Sequence, residues 1–410
     1  MKIRSITYFC NPKYPLDEKV IQAAGEFLAK AKSAYEAAGY EVQTVRLATI
    51  PFPKLLGEKQ ITDLPKLAER FSKLIEHNGI GYVSVGPALP ESPQSFEVIP
   101  EAIAASQNVF FGGVIADEKI HLAALRACAE VIVKCAPIDP NGFANLRFAA
   151  LANVPAGAPF FPAAYHDDDQ PAFAIATEAA DLAVDAFSRQ TMDNRPWTID
   201  EGRRTLIAEI EKHGKAIARI ANELSNNQIF GVRFGGIDFS LAPFPDDAHS
   251  LGNAVEKMGV PKIGLHGSLA AAALLTEAVD RANFPHTGFS GFMQPVLEDS
   301  VLARRAAEGS LTIKDLLLYS TVCGTGLDTV PLPGDTTAEQ IVPLLLDLSA
   351  LALRLDKPLT ARLMPVPGKK AGDATSFDFG FFANSKVMAL DAIPLNSSLA
   401  GDESFSIQSR

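Results

Sequence analysis

Lys2-Ile-Arg-Ser-Ile-Thr-Tyr-Phe9, followed by Val20, Ala24, Phe27, Leu28, Ala31 and Tyr35 at helical spacing and then by Gly39, decides the fold class. The first run reads as a strand. The second lays one apolar stripe along a helix over residues 17 to 38, and Gly39 can take the left-handed turn that ends it. This β-then-α unit recurs: strand near 41 to 47, helix near 63 to 78 closed by Gly79, strand 80 to 85, helix near 96 to 106, strand 109 to 115, helix 117 to 134. Such alternation predicts a mostly parallel sheet covered by helices.

Further along, residues 140 to 200 turn to Gly, Pro and aromatics, then to His166-Asp-Asp-Asp169, a loop-rich stretch too apolar to be a disordered linker. Thr198 and Glu201 have capping-box spacing and open a long helix with the stripe Leu206, Ile210, His213, Ile217, Ile220, Leu224. His213, inside that stripe, is expected to be a satisfied core or interface histidine rather than a ligand. Residues 230 to 240 read as a buried strand and 267 to 283 as an Ala-rich helix. Thr336 with Glu339 suggests another capping box, starting a buried helix to about Leu355 that Pro343 should kink or delay. The last twenty residues are polar and should run over the surface. The expected domain plan is one domain over 1–390 and a polar tail over 391–410.

Composition narrows the function. The 410 residues carry 37 Lys+Arg against 48 Asp+Glu, a formal net charge of −11, with no basic run. Nucleic-acid and anionic-membrane partners need clustered cations, so neither is expected. No signal-peptide pattern and no long uncharged apolar stretch is readable, which places the chain in the cytoplasm. Four scattered cysteines form neither a disulfide framework nor a zinc spacing. A homo-oligomer is expected on general grounds for a protein of this size.

The most unusual segment runs from Tyr319 to Asp335, a Gly- and Pro-punctuated loop carrying Cys323, Asp328 and Asp335 between apolar flanks. Its thiol has the setting of a nucleophile or radical carrier, with a small buried hydrophobe as the plainer reading. Asp238, in a second carboxylate-rich loop, and Glu298-Asp299 follow apolar runs. They could bind Mg²⁺ or Ca²⁺ through hard oxygens, exchange protons, or cap helices. Arg147, Arg233 and Arg362 lie in or beside apolar runs, where a guanidinium must find a protein carboxylate or a bound anion. Neither a P-loop, a G-x-S-x-G elbow, an H-E-x-x-H pair nor a strand-linked G-x-G-x-x-G is present, so the usual hydrolase, zinc-protease and dinucleotide readings lose their support.

Several long strings together resemble the uncharacterised family known as domain of unknown function 711, often labelled "PFL family protein". They are residues 145 to 155, 159 to 166, 236 to 245, 295 to 300 and 323 to 335. The family is similar in fold to pyruvate formate-lyase and anaerobic ribonucleotide reductase. That implies an α/β fold with a ten-stranded barrel of the pyruvate formate-lyase type, surrounded by helices, with Cys323 on a central finger loop. Glycyl radical enzymes also carry an R-V-x-G-Y-like motif near the C-terminus. Here the nearest string is Phe379-Gly-Phe-Phe382 without Arg-Val before it, which disfavours radical chemistry.

The resulting expectation is an enzyme of lyase or hydrolase type acting on a small polar anionic metabolite in the barrel mouth. Cys323, Asp328, Asp335 and His166 would be catalytic. Arg147, Arg233, Arg362, Ser240, Thr325 and Thr329 would bind substrate, and Asp238, Glu298 and Asp299 would hold Mg²⁺ or Ca²⁺, with no organic cofactor. The alternative is a non-catalytic metabolite sensor. Asp238, Glu298, Cys323 and Asp328 should converge on one cavity.

Overall fold

The computed structural model describes residues 1–188, 198–226 and 231–410. Among the described residues eleven strands form one sheet: β1 (Lys2–Cys10), β2 (Val42–Thr49), β3 (Tyr82–Ala88), β4 (Val109–Ala116), β5 (Ile120–His121), β6 (Phe148–Ala152), β7 (Ala172–Glu178), β8 (Arg233–Asp238), β9 (Gly326–Pro333), β10 (Leu359–Val366) and β11 (Ser404–Phe405). Along the sheet the order is β8-β7-β1-β2-β3-β4-β6-β10-β9. The central β1-β2-β3-β4-β6 strands are parallel. On one flank β7 runs antiparallel to β1 with β8 parallel to it, and on the other β10 runs antiparallel to β6 with β9 parallel to it. The fold is therefore mixed α/β, a large sheet surrounded by helices.

Local chemistry explains the elements. The helix Glu18–Ala37 starts where the Asp17 carboxylate accepts the Lys19 N–H at 3.1 Å, and it buries Ile21, Ala24, Phe27, Leu28, Ala31 and Tyr35. It ends at Gly39, which has φ +89°. Thr198 and Glu201 form the capping box of the helix Ile199–Ser225, and His213 bonds the Tyr40 hydroxyl at 3.0 Å, a satisfied packing histidine.

Some boundaries differ from the sequence reading. The expected helix 96 to 106 is two short ones, Gln94–Glu97 and Ile99–Ala104, because Pro100 has no N–H and its ring clashes with the carbonyl one turn back. The helix expected from 117 begins at Leu122, after a turn and β5. The cap expected at Thr336 lies one residue later: the Thr337 N–H donates to Gln340 Oε1 at 3.0 Å, and the helix Ala338–Arg354 continues through Pro343. The strand expected over 230 to 240 is β8, and position 230 is outside the described residues. β7, buried along its whole length, falls inside the stretch read as loop.

Between the two outer strands, isolated bridges join Ile237 to His286, Ser240 to Gly291 and Pro295 to Asp328. The segment 286–296 thus touches β8 and β9, the opposite edges of the sheet. After Met388 the chain runs along the surface, where β11 pairs with β5 and the Arg126 guanidinium meets the Asp402 carboxylate.

Candidate functional site

Side chains from eight strands (β1, β2, β3, β4, β7, β8, β9 and β10) and from residues 293–298 meet in one cavity of about 100 Å³, several times the roughly 10–15 Å³ that one water needs. Asp238, Ser240, Glu298, Asp328 and Arg362 line it, so five of the residues singled out in the sequence do converge.

The centre is an arginine–carboxylate lattice. Arg362 Nε donates to Asp328 Oδ1 at 2.5 Å and its Nη2 to Glu298 Oε1 at 2.8 Å. The other Glu298 oxygen meets the Arg4 guanidinium, which also donates to Glu178 Oε2 at 3.1 Å, and Gln43 reaches that same oxygen at 2.8 Å. Burial works against the charge of Arg362, but Asp328 and Glu298 outweigh it and raise its pKa; Glu298 and Glu178 do the same for Arg4. Burial pushes the Asp328 carboxyl up against the pull of Arg362. Asp328 Oδ2 and Glu178 Oε1 are buried with no partner.

Backbone irregularities aim this lattice. Between β1 and β7, one extra residue, Arg4, is inserted where Ile3 pairs with Thr177 and Ser5 with Ala176, so Arg4 and Ser5 both line the cavity. Between β9 and β10, Asp328 and Thr329 together lie opposite Arg362, and Thr329 adopts φ +43°. A bulge breaks strict alternation, and that is how neighbouring polar residues serve one site.

Arg46 differs from the other two arginines. Its Nε donates to Thr44 Oγ1 at 2.8 Å, and its guanidinium lies 5.0 Å from the Phe161 ring centroid and 5.9 Å from that of Tyr82. Among the described residues it has no carboxylate within ion-pair distance. Burial and then Arg4 lower its pKa to about 9, which still leaves it charged at neutral pH. Ser5 Oγ, in the lining of the same cavity, is fully buried and unpartnered.

Other expectations are corrected. Cys323 is not with Asp328: it ends the turn after the helix Ile313–Tyr319, ahead of β9, and lines a separate cavity with Thr276, Asp280, Ser290 and Lys357. Its sulfur accepts the Gly326 N–H at 3.2 Å, and the Lys357 ammonium meets its carbonyl. Asp335 is exposed in the turn beyond β9. His166 is buried outside the cavity, near Phe9, with its pKa lowered by burial. Arg147 binds the Ile103 and Ser106 carbonyls at the end of a helix, and Arg233 is exposed at the start of β8. Thr325 accepts the Thr360 N–H through its carbonyl at 2.7 Å, Thr329 Oγ1 accepts the Leu297 N–H at 3.2 Å, and neither residue lines the cavity.

The expected metal trio does not assemble either. Asp299 caps the helix Ser300–Glu308, accepting the Val301 and Leu302 N–H groups, the Gly252 N–H and the Ser250 hydroxyl. Asp238 accepts Phe289 and Ser290 N–H and the Ser240 hydroxyl, and both Glu298 oxygens are held by arginines. Among the described residues no group of three or more His, Cys, Asp or Glu is arranged for a metal ion. Asp238 and Asp299, taken up by N–H and hydroxyl donors, and Glu298, with a guanidinium on each oxygen, do not fit Mg²⁺ or Ca²⁺.

Arg4, Ser5, Gln43 and Arg46 were missed in the sequence. For Arg4 and Arg46 the signal is present, a charge inside an apolar strand run, the same that marks Arg362; Ser5 and Gln43, uncharged, carry none.

A mixed α/β sheet gathering an arginine–carboxylate cavity defines the class. Residues 1–386 match the family described as Uncharacterised ACR (DUF711), and the chain belongs to it, as its motif strings implied. It is 33% identical over 352 residues to a UPF0210 protein of Pyrobaculum arsenaticum, covering 82% of this chain and 76% of that protein. A UPF0210 protein of Methanopyrus kandleri is 31% identical over 382 residues (88% and 82%), and one of Acetivibrio thermocellus 29% over 385 residues (90% and 84%).

Proposed function

We propose that this chain is an enzyme acting on a small anionic metabolite in the arginine cavity, by lyase or hydrolase chemistry that relies on acid/base groups. The observation that carries the reading is Arg46, a charged guanidinium walled by aromatic rings and lacking a protein counter-ion among the described residues. A charge so placed is offset when an anion binds. Arg4 and Arg362 are already neutralised and act as the frame that aims Glu298 and Asp328. Asp328 is the candidate acid/base: Oδ1 is fixed by Arg362, Oδ2 is unpartnered, and burial holds its carboxyl above the usual range, where proton exchange with a ligand near neutral pH is easier. On the architecture, we propose that segment 286–296, bridging β8 and β9, acts as a tenth strand that rounds the sheet into a barrel about this cavity.

The test is thermal shift and turnover with a panel of small carboxylates and phosphates on three proteins. A stabilising anion should lose its effect in Arg46→Gln. In Asp328→Asn it should still bind, with conversion lowered at least a hundredfold, on the order expected for a lost acid/base group. Equal stabilisation of Arg46→Gln would sink the anion assignment. An anion bound by the wild type and left unchanged would favour the sensor.

A further inference from the structure

The cavity's walls constrain the anion further than its charge does. Tyr82, Phe110 and Phe161 pack edge-to-face at 5.3 and 5.5 Å beside Arg46. Across the cavity Phe160 lies under the Arg362 guanidinium at 5.6 Å, and Phe379 and Phe381, 5.4 Å apart, close another side with Met293 and Pro295. Most of the lining is thus aromatic or aliphatic, and its charged groups are Arg4 on β1, Arg46 on β2, Asp238 on β8, Asp328 on β9, Arg362 on β10 and Glu298.

The polar side has little capacity for charge. No lysine lines the cavity among the described residues, and two of its three arginines are engaged with Glu178, Glu298 and Asp328. Both Nη groups of Arg46 are without a protein acceptor among the described residues, a two-pronged donor matched to one carboxylate. A second negative charge on the ligand would face Asp328 and Glu298.

We infer that the ligand is a monocarboxylic acid with a compact apolar body of aromatic size, its carboxylate held by Arg46 and its body packed against Tyr82, Phe110 and Phe161. This rests on the anion-site reading above and narrows it: phosphorylated metabolites and dicarboxylates are poor ligands. Ser5 Oγ, buried and unpartnered in a residue that lines the same cavity, supplies a donor or acceptor to the ligand. Apolar walls reward each added methylene by about fourfold in affinity, whereas a second charge gains no free partner here.

Isothermal titration of the full chain with acetate, butyrate, phenylacetate, succinate and inorganic phosphate tests the inference. Affinity should rise from acetate to butyrate to phenylacetate, and phenylacetate should exceed succinate and phosphate at least tenfold. Arg46→Gln should lose at least tenfold for phenylacetate. Phe161→Leu should weaken phenylacetate severalfold more than it weakens acetate, a pattern that loss of fold would not give. If succinate or phosphate binds more tightly than phenylacetate and depends on Arg46, the anion site stands and the apolar monocarboxylate is overturned. If no member of the panel binds, or Arg46→Gln is indifferent, both fail together.

Discussion

Asp328 and Cys323 lie five positions apart in the sequence, yet they face different cavities. Asp328 is on β9, opposite Arg362, and burial raises its pKa; Glu298 pushes the same way, while Arg362 and Arg4 oppose. A carboxyl with a higher pKa folded than unfolded holds its proton more tightly when folded. Its contribution to stability is full below the ordinary value of 3.8 and is lost as pH rises through the folded value. Asparagine at this position keeps an oxygen for Arg362 and cannot ionise. The melting temperature of Asp328→Asn minus that of the wild type should therefore increase from about pH 4 to about pH 8. A difference that stays flat or falls over that range would mean that Arg362 and Arg4 outweigh burial. At this scale the sequence was a partial guide. An arginine in an apolar run was a sound signal for Arg362, but the same signal at Arg147 and Arg233 led to a helix-end clamp and an exposed strand end. Composition around a cysteine could not tell which side of the β9 start Cys323 would face.

The N-terminal β-then-α units were legible because their apolar stripes and terminal glycines are local. β7 was not, since its seven residues, Ala172 to Glu178, follow a Pro- and Asp-rich loop and have no helix directly before them. Caps expose the same limit: the segment at Asp299 could be read as a metal ligand or as an N-cap, and only the tertiary partners Ser250 and Gly252 decide it. Four donors converge on that one buried carboxylate, so Asp299→Ala removes a cap and strands buried N–H and O–H groups. We expect a loss of about 3 kcal/mol in urea unfolding, with phenylacetate affinity within twofold of the wild type. A loss below about 0.5 kcal/mol would be too small for a cap with buried partners. Gly288 marks another such junction. At φ +64° it lies against Asp238, and an added Cβ would come within 2.3 Å of Oδ2, so the loop that receives Asp238 admits no side chain there.

At the scale of the whole molecule, the convergence of Arg4 with Arg362 across nearly the full sequence could not be read in advance. It depends on strand order and on two bulges, which sequence periodicity does not encode. The same topology predicts how the chain unfolds. One apolar cluster draws on residues from Ile3 to Met388, and one sheet holds both β1 and β10, near the two ends of that span. The tail beyond residue 390 adds only the short β5–β11 ladder, surface contacts and a few half-buried side chains such as Phe405 and Ile407. Calorimetry should give one transition with an enthalpy of about 290 kcal/mol near 60 °C, at about 0.7 kcal/mol per residue. Removing residues 391–410 should lower the midpoint by a few degrees without splitting that transition or changing phenylacetate affinity, because Phe379 and Phe381 precede the cut. Ligand should shift the entire transition, since the cavity draws on eight strands and cannot be formed by any part of the sheet alone. Two resolved transitions, only one of them moved by phenylacetate, would divide the chain into independent units and place the cavity in one of them, against a sheet whose two flanks both contribute to it.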